Sequence, residues 1–347
     1  MLEINMISLI CPLSVLFLNK IEIWISKSAN LSRLFIEFII LAVPLLLALT
    51  KFITPFDTVF AFTVLTAFAN VIPSETDPKN VETLTSKKLS FLTNYRASML
   101  LVTSICILAV DFVIYPRRFA KTEEVGFGLM DIGVGSFVFS AGTVSPTSTK
   151  KTWRNIIKSL PLFILGIGKY AMTKTIDYHS HVSEYGVHWN FFITLGLISL
   201  FGGTLTSICN RKLTFILAVA FGIGYELLLN KYSLYSWVFN LSESRRLKSG
   251  LVIANIEGVL SLPGYLSLYL VGNSVKDLIN KVNSSNWKRM ALSVITLWSL
   301  FIVLINEDYL TLPSRRLCNL TYVIWMAAYN LSLISLFSGV EILTGNY

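Results

Sequence analysis

The sequence predicts an all-α protein that crosses a membrane through about eleven transmembrane helices. Hydrophobic residues make up 54% of its 347 residues and charged residues only 14%, whereas soluble domains carry roughly 25% charged residues. The mean hydropathy is +0.64. Apolar runs of about 20 residues, the length at which a helix crosses a bilayer, recur along the chain. These observations exclude an ordinary soluble domain. A nucleic-acid partner is also not expected, because the sequence has no soluble domain on which the cations could form a basic stripe.

Eleven runs have the length and hydropathy of membrane spans. In chain order they lie at Ile4–Trp24, Leu34–Phe52, Phe56–Pro73, Ser98–Pro116, Val125–Ser145, Ile156–Thr173, Trp189–Cys209, Leu213–Leu229, Val259–Val275, Met290–Ile305 and Asn319–Leu343. The first and ninth runs are the weakest, because polar or helix-breaking residues interrupt them. These residues are Asn5, Asn19, Pro263 and Gly264.

Features at the ends of the runs support this division. Met1-Leu2-Glu3 contains no basic residue and no small-x-small cleavage site follows, so we expect the first run to stay in the membrane as a helix. The fourth run ends at Pro116, which cannot continue a helix and allows the chain to turn back. Tryptophans near the ends of several runs are typical of the aromatic belt at a bilayer interface. They are Trp24, Trp153, Trp189, Trp237 and Trp287.

The stretch between the fourth and fifth runs carries charges that lipid should exclude. Asp111 lies near the end of one run and Asp131 lies within the next, with Arg117, Arg118 and Lys121 between them. Ionisable groups inside a bilayer are costly, rare and usually functional. The planar forks of the two arginines suit phosphate, although snorkelling to the interface is an alternative for each. The loop at residues 150–158 is also basic. Successive loops face opposite sides of the membrane, and orientation alone explains an excess of positive charge on one side only. A phosphate-bearing substrate would explain the charge of the loop that carries the two arginines.

Asp111 and Lys121 form a candidate catalytic pair. Desolvation raises the pKa of a carboxyl group, which makes Asp111 a better general base once a partner positions it. Lys121 follows ten residues later and would lie about 15 Å away on a continuous helix. The turn at Pro116 lets it approach the carboxylate, where its charge can stabilise an oxyanion. The alternative is that Asp111 ends a helix in interfacial water.

Further polar residues at the predicted span ends are candidate substrate contacts. Asp131 requires a cation or donor nearby, and Lys169 in the sixth run is one possible partner. His188 is a candidate acid or base at neutral pH, with interfacial hydrogen bonding as its alternative role. The predicted substrate-binding set is Arg117, Arg118, Asp131, Lys169, His188, Trp189, Asn190, Asn255 and Glu257. No metal is expected, because the spacing of His179, His181, Glu184 and His188 matches no established ligand pattern.

Five blocks between Ala97 and Asn330 resemble the glucosaminyl-phosphatidylinositol acyltransferases of GPI-anchor synthesis. They read LAVDF, YPRRFAKTE, MDIGVGSFVF, EYGVHWNFF and SRRLCNL. The resemblance implies a single integral-membrane domain over residues 1–347, with the site-bearing core at about residues 97–330. It also implies transfer of a fatty acyl chain, usually palmitoyl, from acyl-CoA to the inositol of glucosaminyl-phosphatidylinositol in the endoplasmic reticulum membrane. Asp111 and Lys121 match the Asp–Lys pair that carries the chemistry in the family.

The resemblance further implies acyl-CoA as a co-substrate, no cofactor and no obligate protein partner. The chain departs from the family pattern at Val113, where a proline is usual, and at Ile256, where an arginine is usual. It ends at Tyr347, whereas relatives continue with further hydrophobic segments, so we expect a short form or a fragment. A lipid or organic-anion transporter with proton-coupled carboxylates is the alternative function. The lack of a visible internal repeat counts against it.

Overall fold

The computed structural model describes residues 1–25, 30–71, 89–145, 153–175, 184–242, 250–280, 284–306 and 310–344. Within these ranges the chain forms helices and no β-strand, which confirms the predicted all-α class. Eight helices of the described residues are long and apolar enough to cross a membrane, and two more are apolar but shorter. Each of the eleven predicted runs contains a helix. The protein is therefore a multi-pass membrane protein. Such helices can cross lipid because each one satisfies its own backbone hydrogen bonds.

The described residues form fifteen α-helices. In chain order they are α1 (Leu2–Ile25), α2 (Asn30–Ala48), α3 (Pro55–Val71), α4 (Ser90–Ala109), α5 (Leu129–Val144), α6 (Trp153–Thr175), α7 (Phe191–Ile208), α8 (Arg211–Lys231), α9 (Leu234–Phe239), α10 (Leu251–Ala254), α11 (Ile256–Leu260), α12 (Leu262–Ser274), α13 (Lys276–Ile279), α14 (Ser284–Asn306) and α15 (Leu320–Thr344). A short 3₁₀ helix at Arg117–Phe119 lies between α4 and α5.

The ninth predicted run is the least regular part of the described chain. The run covers the end of α11 and all of α12, with α10 and α13 just outside it. Of these four helices only α12 has more than five residues. Asn255 separates α10 from α11 with φ −122° and ψ 30°, outside the helical region. Pro263 lies in the first turn of α12, where its missing N–H leaves no hydrogen bond unmade. The break places Asn255 and Glu257 at the end of the bundle.

Two helices form the centre of the bundle. α12 packs against α5, α7, α8 and α15, and α15 also contacts α1, α4 and α14. α15 is buried along most of its length, as expected for a helix that is apolar all round. α5 and α12 approach closely because glycines face the opposing backbone. A Cβ at Gly142 would lie 2.1 Å from the carbonyl oxygen of Tyr269, and one at Gly272 would lie 2.4 Å from that of Phe139.

Candidate active site

Four segments meet at one end of the bundle: those ahead of α5, α7 and α15, and the short helices α10 and α11. Backbone hydrogen bonds join them in pairs. The amide of Gly126, ahead of α5, donates to the carbonyl of Pro313 at 2.8 Å. The amide of Val187, ahead of α7, donates to the carbonyl of Ala254 at 3.0 Å. The amide of Gly258 donates to the carbonyl of Tyr185 at 3.0 Å. Residues far apart in sequence are therefore fixed around one site.

A cavity of about 290 Å³ opens beneath these segments, between α4, α5, α7 and α15. Most of its wall is apolar and includes Met99, Val102, Ile107, Ile132, Phe137 and Leu333. One end is polar and is formed by Lys121, Lys169, Glu184, Tyr185 and Arg315. The cavity thus combines an apolar chamber with a charged end, which suits a molecule that has a long hydrocarbon chain and a polar head.

Lys121 and Arg315 share the carboxylate of Glu184 at this charged end. Lys121 Nζ lies 2.8 Å from Glu184 Oε1, and Arg315 Nη2 lies 3.7 Å from the same oxygen. Arg315 Nε donates to Asp131 Oδ1 at 2.9 Å. Burial disfavours the charge on Arg315, but Tyr185, Asp131 and Glu184 outweigh that cost and raise the pKa of Arg315. The result is a chain of alternating charge that runs from Lys121 and Glu184 at the cavity through Arg315 to the buried Asp131.

Asp131 is paired with Arg315 and not with Lys169, the partner that its position in the sequence had suggested. Its side chain is 1% exposed. It also accepts hydrogen bonds from the hydroxyl of Thr122 at 2.8 Å and from the amide of Thr122 at 3.1 Å. These contacts occupy both carboxylate oxygens, so Asp131 supports Arg315 from behind the cavity wall.

A second buried ion pair lies beside the first. Arg316 Nη2 is 2.9 Å from Glu257 Oε1, and the Glu257 side chain is completely buried. Arg316 also donates to the carbonyl of Glu123 at 3.0 Å, and its guanidinium lies over the ring of Phe239. Arg316 therefore ties the segment ahead of α15 to the break between α10 and α11. Glu257, a predicted substrate contact, has an arginine partner inside the protein.

Asp111 lies in the turn that follows α4, because the helix ends at Ala109 and not at Pro116 as predicted. Its side chain is exposed. No hydrogen bond or ion pair joins it to Lys121, which contacts Glu184 instead, and it is absent from the described lining of the cavity. Ile107, four residues earlier on α4, does line the cavity. The predicted catalytic pair is therefore not in contact in this conformation, although the turn lies close to the cavity.

The two arginines predicted to bind phosphate lie on the exposed 3₁₀ helix after this turn. Arg117 Nη1 donates to the carbonyl of Val110 at 2.9 Å, next to Asp111. Arg118 forms a fork with Glu3 of α1, with distances of 2.6 and 3.2 Å. Both side chains are exposed, so the 3₁₀ helix presents two cations at the surface above the cavity.

The predicted contacts around α7 have structural partners. Asn190 caps α7 by accepting from the amides of Phe192 and Ile193, and its amide group donates to the carbonyl of Gly166. The indole of Trp189 donates to Thr194 and packs against Gly258. Asn255 accepts from the amide of His188 at 2.8 Å.

His188 lies edge-on to Tyr170, with ring centroids 5.4 Å apart. Its Nδ1 is buried and has no partner among the residues that the structure describes. This ring nitrogen thus has an unused hydrogen-bonding capacity, unlike the side chains of Trp189 and Asn190.

Three residues at the centre of the site were absent from the predicted set: Glu184, Arg315 and Arg316. Their pairing could not follow from spacing, because Arg315 and Asp131 are 184 positions apart. One signal was available. Two buried carboxylates, Asp131 and Glu257, required two cations, and Arg315-Arg316 directly precedes the last span. Among the described residues no group of three His, Cys, Asp or Glu could hold a metal ion, and His179 and His181 lie outside these residues.

The fold and the site define a multi-pass membrane protein built around a cavity that is apolar along its wall and charged at one end. Comparison with known sequences gives the family. A family model described as GWT1 matches residues 1–347, and the chain belongs to the GWT1 family.

The relatives include a protein of Debaryomyces hansenii named GPI-anchored wall transfer protein 1, which is 33% identical over 88% of this chain and 74% of its own length. A Dictyostelium discoideum protein named phosphatidylinositol-glycan biosynthesis class W protein is 33% identical over 91% of this chain and 74% of its own length. The bovine glucosaminyl-phosphatidylinositol-acyltransferase PIGW is 36% identical over 73% of this chain and 53% of its own length. The chain thus spans about half of the bovine protein. The family resemblance predicted from the sequence is confirmed.

Proposed function

We propose that this chain is a membrane-embedded O-acyltransferase of GPI-anchor biosynthesis in the endoplasmic reticulum. It transfers a fatty acyl chain, palmitoyl, from acyl-CoA to the inositol of glucosaminyl-phosphatidylinositol. The observation that carries this proposal is the cavity, whose apolar wall fits a fatty chain and whose charged end fits the reacting head groups. The name of the bovine relative supports the same substrate and reaction.

The acyl chain of the donor lies along the apolar wall formed by α4, α5 and α15, and the thioester lies at the charged end. Arg117 and Arg118 at the surface above bind the phosphates of CoA, because guanidinium forks pair well with phosphate oxygens. Arg118 exchanges its exposed partner Glu3 for a phosphate. Exposed ion pairs contribute little to stability, so this exchange costs little.

Asp111 acts as the general base on the inositol hydroxyl. The hydroxyl proton passes to the carboxylate, the oxygen forms a bond to the thioester carbonyl carbon, and the carbon–sulfur bond breaks. The CoA thiolate leaves and receives a proton, so that one ester replaces one thioester. Lys121 stabilises the oxyanion formed in between. Catalytic contacts often tighten only when substrates bind, and the exposed turn that carries Asp111 moves towards Lys121 at that point.

The remaining polar residues arrange this centre. Glu184 holds Lys121, and Arg315 holds Glu184 while Asp131 fixes Arg315. Glu257 and Asn255 fix the neighbouring segments through Arg316 and the amide of His188. His188 and Lys169 contact the acceptor head group, and Trp189 and Asn190 hold the start of α7 in place. No cofactor is needed for this direct transfer.

Product analysis tests the proposal. Purified protein in vesicles receives radiolabelled palmitoyl-CoA and glucosaminyl-phosphatidylinositol. We expect label in an alkali-sensitive ester on the inositol ring. Movement of unmodified lipid between leaflets without acylation would support the transporter alternative and reject the acyltransferase.

A further inference from the structure

A second cavity lies on the outer side of α6 and α7, next to the site cavity just described. It has a volume of about 560 Å³ and is lined mainly by apolar side chains of α6, with Phe192 of α7. We call it the α6–α7 crevice. Ile164, Leu165 and Met172 in its wall are exposed. In a bilayer these side chains face lipid, so the crevice is open to the membrane from the side.

The two cavities meet at two side chains. Lys169 and Phe192 line both of them. The position of α6 at this boundary is fixed by the hydrogen bond from Asn190 to the carbonyl of Gly166. Lys169 is exposed, and among the described residues it forms no ion pair. A cation on an otherwise apolar wall is costly unless it pairs with an anion or reaches the interface.

Lys169 lies within reach of the end of α6. It lies six residues before the end of α6 at Thr175, which is about 9 Å along the helix axis. A lysine side chain can cover much of that distance by snorkelling towards the interface. Its ammonium group can therefore contact a phosphate at the level of the head groups while the apolar crevice below receives hydrocarbon chains.

We propose that the α6–α7 crevice holds the hydrocarbon tails of the phosphoinositide acceptor, with Lys169 on its phosphodiester. The inositol then extends past Phe192 towards Lys121 and Glu184, and the acyl chain of the donor keeps the site cavity to itself. Each substrate has its own apolar compartment, and the two compartments meet at one cation. This inference rests on the proposed function, because it assigns the acceptor of that same reaction.

The first test fills the crevice without disturbing the protein. An added Cβ at Gly168 meets no atom within 4 Å, so a side chain can start there unhindered, and Gly168→Trp places a ring in the crevice. Gly224→Trp on α8 is the matched control, since Gly224 is equally open and lines neither cavity. We expect Gly168→Trp to raise KM for glucosaminyl-phosphatidylinositol on the order of tenfold, with KM for palmitoyl-CoA unchanged. The control should keep both constants.

The second test concerns the phosphate contact. Lys169→Gln should raise KM for the acceptor and leave KM for palmitoyl-CoA unchanged, and Lys169→Arg should restore most of the affinity. Lys158→Gln, on the same helix near its other end, is the control and should have no effect. Equal losses for donor and acceptor would overturn the assignment of Lys169, because they would indicate a general effect on the site.

A binding measurement separates this inference from the proposed function. Phosphatidylinositol with a diazirine in one acyl chain is photolysed with the wild-type protein in vesicles, and the labelled peptides are mapped. We expect label on α6 around Ile164 and Met172, and its loss in Gly168→Trp. Label spread equally over α6 and α8 would overturn the crevice proposal even if acyl transfer is found. Absence of acyl transfer by the wild type would reject the proposed function and leave the labelling result to be judged separately.

Discussion

Asp111, the proposed general base, makes no contact that would mark it as catalytic. Its side chain is exposed in the turn after α4 and makes no ion pair among the described residues. Replacement by asparagine therefore removes a charge without leaving a buried partner. We predict that Asp111→Asn inserts and folds normally but transfers acyl groups at least about 100-fold more slowly, since a general base contributes about 10²–10⁴-fold.

The measurement is acyl transfer from labelled palmitoyl-CoA together with thermal stability in detergent. Glu124→Gln is the matched control, because Glu124 is an exposed carboxylate in the same connection between α4 and α5. Full activity of Asp111→Asn would remove Asp111 from the mechanism.

The Asp131–Arg315 pair behaves in the opposite way, because both side chains are almost completely buried. Removing one partner of a buried pair leaves an uncompensated charge and costs about 3–5 kcal/mol. We predict that Asp131→Asn lowers the free energy of unfolding by that amount, whereas Asp131→Asn combined with Arg315→Met recovers most of the loss. Both variants should lack activity, since Glu184 is held by Arg315, which is itself fixed by Asp131.

Thermal unfolding of the wild type, both single variants and the double variant in the same detergent completes the double-mutant cycle. If the double variant is no more stable than Asp131→Asn, the loss of stability does not come from an unpaired Arg315, and this prediction is wrong.

At the scale of helices, the sequence located the apolar helices better than it defined their ends. All eleven predicted runs contain a helix, and eight of these helices are long and apolar enough to cross a membrane. α4 ends at Ala109, before Pro116, because turns such as the one from the Phe112 amide to the Ala109 carbonyl take over first. The ninth run is interrupted at Ser261, just before Pro263, whereas Gly264 lies inside α12.

The contacts between helices were less predictable than the helices themselves. Lys121 and Glu184 are 63 positions apart, and only the packing of α5, α7 and α15 brings their segments together. Glu184, Arg315 and Arg316 therefore became apparent only when the partners of the buried carboxylates were seen.

The close packing of α5 on α12 gives a prediction at this scale. A methyl group at Gly142 would overlap the carbonyl oxygen of Tyr269, so the two backbones must move apart. Gly142→Ala should destabilise the protein by about 1–3 kcal/mol, as overpacking usually does. Gly224→Ala, which meets no neighbour, should be neutral or stabilise by about 0.5–1 kcal/mol. Thermal unfolding of both variants tests this prediction. Equal stability of Gly142→Ala and Gly224→Ala would mean that the α5–α12 contact is not tight.

At the scale of the whole molecule, α15 and the segment before it connect the core to the site. α15 contacts α1, α4, α5, α8, α12 and α14, and the preceding segment supplies Arg315 and Arg316. Without them, Asp131 and Glu257 would be buried carboxylates with no arginine partner. A membrane protein assembles from helices that are already inserted, so the other helices can enter the membrane first and complete the site only when α15 docks.

A chain divided between α14 and α15 tests this dependence. Residues 1–306 alone should insert but show no acyl transfer and be degraded quickly. Co-expression with residues 310–347 should restore part of the activity, because the hydrogen bonds and ion pairs between the two pieces need no covalent link. The second piece carrying Arg315→Met should not restore it, although its helix is unchanged. Activity of residues 1–306 alone would contradict the view that the last span completes the active site.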